Sequence, residues 1–383
     1  MTDITRRAVM LGTTAALAAP AILASTARAA ETIRIGVTSP QTGAAAESGK
    51  YMRDGIKLAL DAINAKGGVL GRKLETVVAD DQTTNPGSVL AFSKLAADPS
   101  MVAFIGSIRS TQVQAMAPSV LKVAKPMMIG GTDPKLTHQG NPWLFRCRPN
   151  DTYSAKTIAA YGTQVMGHKK IALIYSTDAF GTGGHDALTA ELKALGITPV
   201  LSLGYANQQA DFTPMVLQIR ASGADLITSY FTYETDLGVF AKQLRQLGVQ
   251  TPWLGSPSIV DTVALKLAGP ALYGTYGVAD FTVDANPQAK AYAAEYQKQF
   301  KVVPDNQSSW AFDAVNILAM AIATAKSTDP KAIRAAILAI QGYKGTEGTY
   351  DFDKNGDGLH GYSVVQNKAG KIDFIKYVSF PKA

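Results

Sequence analysis

Thr32-Ile33-Arg34-Ile35-Gly36-Val37-Thr38-Ser39 sets Ile33, Ile35 and Val37 on one side of an extended chain, the period of a strand. Thr42-Gly43 then leads into a stretch in which Ile56, Ala59, Leu60 and Ile63 recur at helical spacing, and Gly67-Gly68 ends it. Strand, loop and helix repeat outward from there. Leu74 to Val78 and Met101 to Ile105 read as strands around a helix from Val89 to Ala97. Further strands fall at Met127 to Ile129, Ile171 to Tyr175, Val200 to Leu203, Leu226 to Tyr230 and Trp253 to Leu254, with helices over 186–195, 212–221 and 236–247. Such alternation implies an α/β fold whose parallel sheets carry helices on both faces.

At 383 residues the chain has room for about two domains. No fixed-period repeat and no Pro- or Ser-rich linker divides it, so short segments must join them. One boundary is expected at Arg148-Pro149-Asn150-Asp151, ahead of a helix near Thr152. Apolar residues make up 46% and charged residues 17%, which excludes a disordered chain or a coiled coil. The net charge of +7 is spread over isolated residues and pairs such as Lys169-Lys170, too dilute a pattern for nucleic acid.

Residues 1–29 read as an export signal: Arg6-Arg7, an apolar run from Ala8 to Ala24, and small residues at Ala27-Arg28-Ala29 for cleavage. Thr5-Arg6-Arg7-Ala8-Val9-Met10-Leu11 fits the twin-arginine type, with an ordinary secretory signal as the alternative. Cleavage after Ala29 removes three arginines and one aspartate, so the net charge falls from +7 to +5. Cys147, the one cysteine, excludes an internal disulfide and a lipidated new N-terminus. It is either a reactive thiol or a half-buried structural residue.

In parallel sheets ligands bind at the carboxyl ends of the strands. Two loops there carry chemistry. Gly106-Ser107-Ile108-Arg109-Ser110-Thr111-Gln112 follows one strand and Gly130-Gly131-Thr132-Asp133-Pro134 another. Hydroxyls and N–H groups at a helix start suit a carboxylate, or else these are plain caps and turns. No His-Glu-x-x-His, nucleophile elbow, phosphate loop or dinucleotide fingerprint occurs, and His138, His168, His185 and His360 are scattered, so neither a metal nor a cofactor is expected. Asp351-Phe352-Asp353-Lys354-Asn355-Gly356-Asp357 opens like a calcium loop, but Tyr362 stands where the twelfth-position Glu belongs, which favours a tight hairpin turn.

The order of these features resembles the periplasmic branched-chain amino acid binding proteins, soluble receptors of ABC importers. The resemblance runs through Ile35-Gly36-Val37 with Thr42-Gly43, Asp61-Ala62-Ile63-Asn64-Ala65-Lys66-Gly67-Gly68-Val69-Leu70-Gly71, Asp80-Asp81 and Ile105-Gly106 with Ser110-Thr111-Gln112. It continues in Gly131-Thr132-Asp133-Pro134-Lys135-Leu136-Thr137, Asp178-Ala179-Phe180-Gly181, Asp211-Phe212, Phe312-Asp313-Ala314 and Phe352-Asp353 with Gly356-Asp357. It implies two doubly wound lobes joined by a three-crossing hinge, one from 30–150 plus 279–360 and the other from 151–278 plus 361–383. A monomer of this kind would close on a small ligand and deliver it from the periplasm to an ABC permease, with no enzymatic step.

Ligand contacts implied by position are Ser107, Ser110, Thr111, Gly130, Gly131 and Thr132 for a carboxylate, with Phe180 and Tyr233 covering the ligand or simply packing the lip. Three departures bear on the ligand. The acid that holds the ammonium in leucine-type receptors falls on Pro257, so recognition is expected to centre on the carboxylate unless Glu47, Glu234 or Asp236 substitutes. Wall aromatics fall on Ser48 and near Ser308, which widens the expected pocket. Arg109 beside the anion loop either pairs with a ligand carboxylate or is solvated. Receptors for an aromatic or other non-amino carboxylate or an amide, and a sensor feeding a regulator, are the alternatives.

Overall fold

A computed structural model describes residues 32–382; the export segment read at 1–29 lies outside them. The first sheet holds β1 (Ile33–Ser39), β2 (Leu74–Asp80), β3 (Met101–Ile105), β4 (Met127–Ile129) and β5 (Leu144–Arg146), parallel and ordered β2-β1-β3-β4-β5. Helices α1 (Ala46–Ala65), α2 (Asn85–Ala96), α3 (Ser110–Val123) and the short α4 (Lys135–His138) connect its strands. Ile33, Ile35 and Val37 are fully buried, because a central strand is covered on both faces.

A second sheet follows: α5 (Asp151–Ala160), β6 (Ile171–Ser176), α6 (Ala179–Ala194), β7 (Leu201–Tyr205), α7 (Thr213–Ser222), β8 (Leu226–Tyr230), α8 (Glu234–Gln246), β9 (Trp253–Gly255), α9 (Thr262–Ala268) and β10 (Tyr276–Ala279). The chain then returns through α10 (Pro287–Phe300), α11 (Asn306–Ala325) and α12 (Pro330–Leu338), and passes a two-strand ribbon of β11 (Tyr343–Lys344) and β12 (Thr349–Tyr350). The last strands, β13 (Gly361–Lys368) and β14 (Lys371–Ser379), complete the second sheet in the order β14-β13-β10-β9-β8-β6-β7. That sheet is mixed, a departure from the parallel reading, since β13 runs antiparallel to both β10 and β14. Ala369-Gly370 makes the tight turn, with φ of 52° and 94°.

Helix α11 has the length and hydropathy of a membrane span, yet it serves as a core helix, burying Trp310, Ala314, Ile317, Leu318 and Ile322 beneath the first sheet. It lies so close to α1 that a Cβ on Gly55 would stand 2.0 Å from the Ser308 carbonyl oxygen. Glycine is the residue this contact admits.

Three segments, 147–150, 280–286 and 351–360, carry the chain between the sheets. The first and third are fastened by Arg146 and Asp357, both buried. Arg146 Nε donates to Asp357 Oδ1 at 2.9 Å, Thr137 Oγ1 to the same oxygen at 2.7 Å, and Asn150 Nδ2 to Oδ2 at 2.6 Å. Burial alone would raise the Asp357 pKa; Arg146, His138 and Asn150 hold it below the usual carboxylate range. In the Asp-rich turn beside it, Asp353 Oδ1 accepts the N–H groups of Asn355 and Asp357, and Asp351 N–H bonds to the Gly358 carbonyl, a hairpin-like turn. Tyr362 is buried, its hydroxyl donating to the Pro149 carbonyl.

Candidate functional site

The β3–α3 and β4–α4 loops meet at the edge of the first sheet. Ser110 Oγ accepts the N–H groups of Thr132 and Asp133 at 3.0 and 3.1 Å, so one hydroxyl fixes both loops. Ser107 turns inward instead, its Oγ 2.9 Å from Asp81 Oδ2 and 3.0 Å from Gln112 Oε1. Thr111 pairs with Asn85 of α2 at 3.0 Å. A Cβ on Gly130 would lie 2.6 Å from the Trp310 ring and one on Gly131 2.8 Å from Leu136, which assigns both glycines to close packing. Their carbonyls accept from Arg148 and Arg146 at 3.1 and 3.0 Å.

Arg109 is the side chain that leaves this edge and crosses to the second sheet. Its Nη2 lies 2.9 Å from Glu234 Oε1 and 2.7 Å from Oε2, Nη1 donates to the Thr232 carbonyl, and the guanidinium stands 5.0 Å from the centre of the Tyr233 ring. It is buried rather than solvated. Burial works to lower its pKa, but the charge of Glu234 outweighs this and keeps the pKa above the ordinary value. Glu234 opens α8, where a carboxylate is favoured by the helix N-terminus, and it also accepts from Ser48 Oγ at 3.0 Å.

These residues line a cavity of about 40 Å³ between the two sheets, well below the ~150 Å³ of a cavity that holds benzene. Of the sequence-derived set, Arg109, Ser110, Thr132, Phe180 and Pro257 line it. Ser48 and Tyr233 stand one contact behind, on Glu234 and Arg109. Ser107, Thr111, Gly130, Gly131 and Ser308 are not in its wall; Ser308 is committed to a capping box with Asp305. Ser48 is buried outside the cavity wall, where its hydroxyl donates to the Glu234 carboxylate.

Pro257 brings no charge, as its sequence indicates, and among the three acids weighed there Glu234 reaches the cavity. Asp236 instead accepts from the Gln208 N–H at 2.8 Å, and Glu47 pairs with Lys266 at the surface. Arg148, Thr232, Asp261, Asn306 and Gln307 also face the cavity without having been singled out. Loop position could have found Thr232 beside Tyr233; Asn306 and Gln307 arrive from a helix start remote in sequence. Among the described residues one His/Asp group, His138, Asp353 and Asp357, is compact enough for a metal, but Arg146, Thr137 and Asn150 already engage Asp357. Cys147 is fully buried, which pushes its thiol pKa well up and leaves the structural role.

Residues 32–371 match the family model of the periplasmic binding proteins. The chain is 29% identical over 347 residues to an amino acid binding protein of Pseudomonas aeruginosa, covering 89% of this chain and 91% of that protein. It is 30% identical over 331 residues to a Leu/Ile/Val-binding protein homolog of Brucella melitensis, covering 85% and 88%. In fold it resembles a leucine binding protein of Thermotoga maritima, with a TM-score of 0.85 at 23% identity, over 91% of this chain and 99% of that one.

Proposed function

The chain belongs to the periplasmic binding protein family, and from that premise we propose that it is the solute receptor of an ABC importer, capturing an amino acid between two lobes. The lobes comprise 30–150 plus 279–360 and 151–278 plus 361–383. The exported, cleaved protein works as a monomer in the periplasm and passes its ligand unchanged to a permease. Relatives named for binding amino acids and Leu/Ile/Val support the ligand class.

One observation carries this reading: Arg109 and Glu234 present opposite charges from opposite walls of one cavity, 2.7 Å apart. A zwitterion placed between them exchanges one ion pair for two, its carboxylate meeting Arg109 and its ammonium meeting Glu234, so that neither buried side chain loses its counter-charge. Because a cavity of about 40 Å³ is too small for an amino acid, entry requires the walls to part. Native mass spectrometry of freshly purified protein tests the reading. An amino-acid adduct released on denaturation is the result expected, and failure of every amino acid to bind would overturn it.

A further inference from the structure

Pairing both ends of a zwitterion leaves one side of the cavity without an assigned partner. That side is built by two helix starts that converge on the cleft. Asp261 caps α9 through the Val263 N–H at 2.9 Å, and Asp305 caps α11 through the Ser308 N–H at 3.0 Å. Asp261, Asn306 and Gln307 face the cavity.

This wall holds an acceptor that the protein leaves unused: Asn306 Oδ1 has no hydrogen-bond partner although the residue is only 6% exposed, and Asp305 Oδ2, next to it in the chain and behind the wall, is likewise unpaired. Buried oxygens without donors are costly, and hydrocarbon laid against them leaves that cost in place. Glu234 and Asp261 face the cavity together with Arg109 and Arg148, and the Arg148 guanidinium is already paired with Asp280. Burial first, and then the neighbouring Glu234, push the Asp261 carboxyl up to about 7; burial and Asp261 raise Asp305 as well. The unpaired Asn306 oxygen calls for a donor, and the Asp261 carboxyl, once ionised, accepts one.

We propose that the side chain of the captured amino acid ends in N–H donors, an ammonium, guanidinium or carboxamide, received by the acceptors around Asn306 and Asp261. The inference rests on the amino-acid receptor reading and narrows it. It sets this chain apart from receptors whose ligand ends in hydrocarbon, since a leucine side chain supplies no hydrogen to these oxygens.

Titration calorimetry of the mature protein with lysine, arginine, glutamine, leucine and isoleucine tests it. At least one donor-tailed amino acid should bind ten times more tightly than leucine. Asn306→Leu, which leaves the Asp305 cap in place, should reduce that ratio at least tenfold while the unfolding temperature of the free protein stays within a few degrees. Asp261→Asn keeps a capping side chain and separates the sources: a selective loss for lysine and arginine marks a cationic ligand, and an equal effect on glutamine marks a carboxamide. Leucine or isoleucine binding as tightly as every donor-tailed ligand would overturn the inference alone. If no amino acid binds, the receptor reading falls, and the inference with it.

Discussion

Arg109, from the loop after β3, and Glu234, at the start of α8, form a buried ion pair between the two sheets with Nη2 2.7 Å from Oε2. Each charge has the other as its chief compensation, so removing one alone exposes the partner's desolvation cost. Glu234→Gln keeps the shape and removes the charge. It should weaken an amino-acid ligand roughly 100-fold, the loss of one charge-assisted hydrogen bond, while an acid lacking the amine changes little. Calorimetry on the two ligands reads the difference, and an equal loss for both would argue that Glu234 shapes the wall without meeting the ammonium.

Arg146 and Asp357 fasten the first crossing to the third, and both are buried. Arg146→Met leaves Asp357 with Thr137, Asn150 and His138 but without its guanidinium, and should cost about 3–5 kcal/mol in chemical unfolding. Adding Asp357→Leu should recover part of that loss, because a paired apolar replacement removes the orphaned charge. A single variant as stable as the parent protein would contradict a fastening role.

Asp151 begins α5 at the first crossing, and burial pushes its carboxyl up to about 7. Its folded pKa lies above the unfolded value, so the folded state holds the proton where the unfolded state has lost it. Its contribution to stability is therefore largest at acid pH and declines as pH rises from about 4 toward 7. Asp151→Asn cannot ionise and should be more stable than the parent protein at pH 8 by up to about 4 kcal/mol, with no gain at pH 4. Denaturant titrations at the two pH values measure it; a pH-independent difference would point to packing instead.

Much of the α/β frame was legible because central strands and amphipathic helices announce themselves by period. Met101–Ile105, Met127–Ile129 and Leu226–Tyr230 have the bounds their apolar runs indicate. Leu144–Arg146 escaped, since three residues ending in a buried arginine show no period. The β13–β14 hairpin escaped too: β14 is mostly exposed and its apolar pattern weak. Of the residues lining the cavity, Ser110 and Thr132 lie in the loops that glycine and hydroxyl spacing picks out. Glu234 was not assigned, because nothing local says that a helix-start glutamate points across a cleft at Arg109, 125 residues earlier.

The export segment carries its own prediction. Arg6-Arg7, the apolar run and Ala27-Arg28-Ala29 imply cleavage after Ala29 and release into the periplasm. N-terminal sequencing of the periplasmic protein should begin at Ala30; an intact leader in the membrane fraction would refute it. Replacing both arginines with lysine should block export by the twin-arginine route and spare the general secretory one.

The central claim, that opposite walls of one cleft hold the two charges of an amino acid, is tested most directly by calorimetry with matched pairs that differ only in the α-amino group. Glutamine against its deaminated acid, and leucine against 4-methylpentanoate, are suitable. Each amino acid that binds should do so at least tenfold more tightly than its amine-free partner, as roughly 1.5–3 kcal/mol for a charge-assisted contact requires. Amine-free acids binding within tenfold of their amino acids would contradict the account and leave Glu234 as a latch for Arg109 alone.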